Sequence, residues 1–123
     1  MEIIKDQTYS NFKRYCKFLE LQDDPELIET YKQFHAPGKV WPEITQGMKE
    51  VGILDMEIYL CGNVLCMIME TVPDFNHDTA MAELSEKPRQ SEWEQVMNQF
   101  QNSDSETASD KWALMERIYE MDK

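Results

Sequence analysis

Two apolar runs, Leu54–Leu60 and Val64–Thr71, are joined by Gly62-Asn63. This pairing constrains the fold of the chain more than any other feature. A two-residue glycine–asparagine link between such runs predicts a tight antiparallel hairpin and fixes its register. Cys61 then faces Val64, Leu60 faces Leu65, and Tyr59 faces Cys66. Because strand side chains alternate, the hairpin divides into two faces. One carries Leu54, Met56, Ile58, Leu60, Leu65, Met67 and Met69 and must lie under helices. The other carries Asp55, Glu57, Tyr59, Cys61, Val64, Cys66, Ile68 and Glu70. It is too apolar to be left bare and too polar for an ordinary core. The predicted cover is a second sheet, most economically from another copy of the chain.

The flanking segments supply the remaining elements. Lys13–Leu21 reads as a first strand. Asp23-Asp24-Pro25-Glu26 opens a helix with capping oxygens, proline in the first turn and acid against the dipole. Leu27, Ile28, Tyr31 and Phe34 repeat at helical spacing until Pro37-Gly38 stops the run. A second helix starts at Trp41-Pro42-Glu43, carries Ile44, Met48 and Val51, and ends at Gly52. Beyond the hairpin, Asp78–Glu86 is a short helix, and Ser91–Gln101 a stronger one with Trp93, Val96, Met97 and Phe100 on one stripe. Residues 101–110 are polar and predict a mobile loop. Trp112–Met121 fits helix or strand by periodicity, and element order favours a strand that closes the sheet. Strand, helices, strand, strand, helices, strand is the order of an α+β ferredoxin-like sandwich with an antiparallel sheet. At 123 residues the chain reads as a single domain, 1–123.

Charge limits the partners. Twelve basic against 24 acidic residues give a net charge of −12, which disfavours nucleic acid, anionic membrane surfaces and heavily phosphorylated ligands. With only four glycines the chain has no phosphate-cradling loop. No apolar run approaches the roughly 18 residues a membrane span needs, and the polar N-terminus is no signal peptide. Three cysteines, Cys16, Cys61 and Cys66, without a CxxC pattern, predict buried thiols rather than a metal site, with a Cys61–Cys66 disulfide across the hairpin as the alternative. A cytoplasmic protein handling a small neutral molecule is the expectation, with no cofactor and no metal.

Chemistry concentrates at Tyr31-Lys32-Gln33-Phe34-His35. Tyr31 and His35 stand about one helical turn apart, so both side chains leave the same face. A histidine at a helix end is often only a favourable end charge, and a tyrosine there only a core aromatic. Their pairing beside a helix break strengthens the other reading, a small-molecule site with imidazole as acid and base, and leaves both readings open. Trp93 is either core or an apolar platform for a sugar ring. Trp41 either staples the helix entry or touches a ligand. Glu92 would ordinarily be a solvated acid, and Met56, Met67 and Met69 form a soft apolar floor.

Taken in order, these residues resemble the L-rhamnose mutarotase family. Tyr31, His35, Pro37, Trp41-Pro42-Glu43, Gly52, Ile58-Tyr59-Leu60, the Met-rich strand ending in Glu70 and the Trp93 helix carry the likeness, from about residue 12 to 100. The resemblance implies a dimeric ferredoxin-like enzyme (a dimeric α/β-barrel) that interconverts the anomers of a 6-deoxyhexose. It implies that His35 is the proton donor and that Tyr31 contacts the sugar. Met56 falls where the family has a tyrosine, and Glu92-Trp93 where it has a pair of tryptophans. The implied substrate-binding set is thus Tyr31, Trp41, Met56, Glu92 and Trp93, with L-fucose preferred to L-rhamnose. The implied mechanism is ring opening by His35 to the free aldehyde, rotation about C1–C2 and reclosure. A non-catalytic sugar sensor and a dimeric α/β-barrel protein of other function are the alternatives.

Overall fold

The computed structural model describes residues 1–102 and 111–123; the greater part of the predicted loop at 101–110 lies outside the described residues. Among the described residues four strands and four helices follow the expected order: β1 (Lys13–Glu20), α1 (Pro25–Phe34), α2 (Pro42–Glu50), β2 (Ile53–Cys61), β3 (Val64–Thr71), α3 (His77–Ser85), α4 (Gln90–Asn98) and β4 (Ala113–Leu114). The sheet has the order β2-β3-β1-β4 and every pairing is antiparallel. This is the ferredoxin-like arrangement. Within one chain the sheet stays open and does not close into a barrel. Among the described residues no helix is long and apolar enough to cross a membrane.

The hairpin keeps the register set by Gly62-Asn63, with Cys61 opposite Val64, Leu60 opposite Leu65 and Tyr59 opposite Cys66. One assignment needs correction. A β-bulge shifts the register between Ile53 and Asp55, so Ile53 pairs with Thr71 while Asp55 pairs with Glu70. Ile53 therefore turns into the core at 5% exposure, and Leu54, the extra residue, is left 42% exposed. Leu60, at the hairpin tip, is also exposed.

β1 alternates in the same way: Lys17 and Leu19 are buried under the helices, while Phe18 is exposed on the opposite face. Helices α1 to α4 close over the first face, and the core runs from Leu19, Leu65 and Met69 to Ile44, Leu84 and Met97. The other face carries Arg14, whose Nε and Nη2 donate to Glu70 Oε2 at 3.0 and 2.6 Å. Tyr9 also donates to Glu70, and Lys5 reaches Asp55 and Glu57. The chain's own N-terminal residues thus lie against part of this face.

At the C-terminus the predicted closing strand is shorter than expected. Only Ala113 and Leu114 pair, with Phe18 and Lys17, and Met115 N–H adds one bond to Cys16. Residues 116–123 leave the sheet, so the element order, which favoured a closing strand over Trp112–Met121, overstated its length. α3 begins at His77, one residue before the expected start at Asp78, and Asn76 caps it by accepting from Thr79 N–H.

Candidate active site

Local rules place the central pair. Asp24 accepts from Glu26 and Leu27 N–H at 2.9 and 3.2 Å, Pro25 fills the first turn, and α1 runs to Phe34 with His35 as its C-cap. Tyr31 is buried at 4% exposure. The rings of Tyr31 and His35 stack with centroids 4.3 Å apart. Trp93, from α4, meets the His35 ring edge-on at 5.5 Å, and Trp41 meets Trp93 at 5.1 Å.

His35 Nδ1 lies 2.8 Å from the main-chain carbonyl of Tyr31. A carbonyl only accepts, so Nδ1 carries the hydrogen and Nε2 presents its lone pair. Burial holds the imidazole below the usual histidine range, partly opposed by that carbonyl bond. At neutral pH the ring is thus a neutral base with one available nitrogen. Burial likewise pushes the Tyr31 phenol well above its ordinary range, so it serves as a hydrogen-bonding group rather than a charge.

Both side chains line a cavity of about 440 Å³ between the sheet and the helices, a size suited to a small ligand. Trp93 and Met56 line it too, joined by Met67 and Met97. Two expected members stand apart. Glu92 is outside the cavity lining, and its carboxylate lies 3.6 Å from Arg89 with the side chain 63% exposed. The cause is helical geometry: residue 92 lies about 100° around the helix from Trp93. Trp41 is also outside the lining. It backs Trp93, with the Arg89 guanidinium 4.0 Å over its ring. Arg89 itself sits at φ +64°, which turns the chain into α4.

Several polar residues of the cavity went unread in the sequence. Gln90 and Gln101 are 3% and 4% exposed, both line it, and the Oε1 of each has no hydrogen-bond partner among the described residues. Buried acceptors left in this state are rare, and hydroxyl donors of a ligand would satisfy them. Lys17 and Glu94 line the cavity as well. A signal existed: Gln90, Trp93 and Met97 share helical spacing, and Lys17 falls in phase with Tyr15 and Leu19 on β1.

An imidazole base, an aromatic wall, an apolar floor and orphaned amide acceptors suit a neutral polyhydroxylated ring. Comparison with known proteins agrees. Residues 14–121 match the family model described as L-rhamnose mutarotase.

The chain belongs to the L-rhamnose mutarotase family.

Members of this family are carbohydrate isomerases acting on 6-deoxyhexoses. Among its relatives, the L-fucose mutarotase of Xanthomonas campestris pv. campestris is 34% identical over 110 residues, covering 89% of this chain and 88% of the relative. A UPF0734 protein of Dictyostelium discoideum is 32% identical over 117 residues, covering 91% and 92%. The crystal structure of an L-rhamnose mutarotase from Formosa agariphila superposes with a TM-score of 0.67 at 18% identity, over 89% of this chain and 99% of that one, and so shares the fold.

Proposed function

We propose that this member of the L-rhamnose mutarotase family interconverts the α and β anomers of L-fucose, with His35 as its acid–base group. The observation that carries the reading is the lone Nε2 of a desolvated imidazole, held in one tautomer, in a cavity walled by Trp93 and faced by unpaired amide oxygens. Tyr31 holds a sugar hydroxyl, and Trp93 and Met56 pack the ring and its methyl group. Mutarotation requires O1–H to lose its proton and O5 to gain one, whereupon C1–O5 breaks and the aldehyde forms. Rotation about C1–C2 and reclosure give the other anomer. General acid–base catalysis contributes about 10²–10⁴-fold, enough for a reaction that already proceeds in water. L-fucose is preferred over L-rhamnose because the Xanthomonas relative carries that name.

The active species in this reading is a homodimer paired through the open sheet face. Phe18 and Val64 there are 41% and 40% exposed, and residues of that size are seldom bared together on a sheet without a partner. Three free thiols suit the reducing cytoplasm.

Saturation transfer between the anomeric protons of L-fucose and of L-rhamnose, with catalytic amounts of protein, tests the reaction and its substrate. Faster exchange for L-fucose, abolished in His35→Ala, is expected. Binding without faster exchange would mark a sugar sensor instead. Sedimentation of the parent and of Phe18→Glu tests the dimer; a monomeric parent would refute it.

A further inference from the structure

Ring opening of a pyranose moves two protons in opposite senses, and a neutral imidazole with one available nitrogen accounts for only one of them. On the mutarotase reading, on which this inference rests, the cavity requires an acid that serves O5 while His35 serves O1. The Tyr31 phenol is raised too far to give up a proton near neutrality. Glu94 is engaged on both carboxylate oxygens, by Gln90 Nε2 at 2.8 Å and Lys111 Nζ at 2.8 Å. Asp55 is held by Lys5.

Lys49 lines the cavity too but is exposed to solvent. Lys17 remains, and its placement is unusual. β1 directs it toward the helices, between Met67 on β3 and Leu114 on β4, at 1% exposure. It lines the same cavity as His35 and Tyr31. Among the described residues its amine makes no hydrogen bond and no ion pair; Asp78 on α3 is the only charge that raises its proton affinity. Lysine is almost never buried without a partner. Packing alone would be better served by methionine, which already stands opposite at Met67.

We propose that Lys17 is the second proton-transfer group of this site. Its ammonium gives a proton to O5 as His35 Nε2 removes the proton of O1–H; C1–O5 breaks and the C1=O double bond forms. After rotation about C1–C2, the neutral Lys17 amine takes the proton back from the C5 hydroxyl as O5 attacks C1. The His35 imidazolium returns its proton to the new O1. Both residues end as they began, so no co-reactant is required.

Lys17 suits this work at neutral pH because burial lowers its pKa from 10.5 to about 8. Asp78 on α3 is the charge that acts on it, and Tyr31, His35, Lys49, Asp55 and Glu94 are the other titratable groups in the lining of the same cavity.

The test is the anomeric exchange rate against pH for the parent, Lys17→Met and Lys17→Arg, with L-fucose and L-rhamnose as probes. The parent should lose rate above a pKa of about 8. Lys17→Met should lose about 10²-fold at pH 7, shed that alkaline limb, and change its KM by less than about threefold. Lys17→Arg keeps a charge but cannot release its proton, and should bind sugar without recovering the rate. A parent lacking the alkaline limb overturns the proposal whether or not the variants fold. So does Lys17→Met with the parent's rate and profile, or Lys17→Arg with full rate. An active parent, an inactive His35→Ala and a fully active Lys17→Met would sink the role of Lys17 alone. A parent that accelerates neither sugar would take the mutarotase reading with it.

Discussion

Lys111 donates its amine twice to one residue, Glu94: to Oε2 at 2.8 Å and to the main-chain carbonyl at 3.1 Å. The lysine side chain is fully buried. Trp112, the next residue, lines the cavity, so this pair fastens one wall of the site to α4.

Removing Lys111 should therefore cost more than an ordinary ion pair. Lys111→Met leaves a nearly buried Glu94 carboxylate short of its cation, a situation that destabilises by about 3–5 kcal/mol. Urea unfolding of the two proteins measures it. A loss below about 1 kcal/mol, typical of exposed pairs, would refute the fastening role.

Lys17→Met should move stability the other way. The folded protein holds the Lys17 pKa at about 8 against 10.5 when unfolded, so between those values the unfolded chain binds more protons and stability rises with pH. At pH 7 the whole penalty is present, on the order of 3 kcal/mol. The variant should melt several degrees higher than the parent at pH 7, and its advantage should vanish above pH 10.5. An equal or lower Tm at pH 7 would contradict this.

His35 titrates with the same sign. Its folded pKa is depressed below 6.5 by burial, so its stabilising contribution is present above 6.5 and lost as pH falls through the folded value. Replacing it by Asn, which keeps a donor near the Tyr31 carbonyl, should flatten the fall in urea midpoint between pH 7 and pH 5. An unchanged slope would show that the ring is not held neutral by its surroundings.

Gly52→Ala should be poorly tolerated. Gly52 has φ +103°, and an added Cβ would stand 2.9 Å from Val72 Cγ2. Strain of that kind costs about 1–3 kcal/mol, and denaturant unfolding should show it. Gly38, also at positive φ but with open space around it, is the control: Gly38→Ala carries the backbone penalty without the clash.

Where the sequence carried a discrete marker, the fold was readable. Gly62-Asn63 leaves no other in-phase pairing, so the hairpin register followed from two residues. Asp24 and Pro25 together start α1 where they must. The bulge after Ile53 was not readable, because strict alternation contains no sign of an inserted residue. β4 was overstated because Trp112–Met121 is apolar at intervals that fit either period. In the site, Tyr31, His35, Trp93 and Met56 do meet in one cavity, while Glu92 and Trp41 do not line it. The cavity's polar members were missed because Lys17 and Gln90 look like surface residues until the face they occupy is known. Gln101 and Lys111 lie beyond α4, in a stretch whose sequence carries no clear apolar period.

The tautomer of His35 is set by a peptide carbonyl, not by any side chain. With His35 as the proposed base, mutational scanning of the cavity would therefore leave untouched the group that selects its free nitrogen. Tyr31→Phe would strip the phenol and leave that carbonyl in place. In the proposed mechanism, the last turn of α1 thus hides from genetics the atom that aims the base.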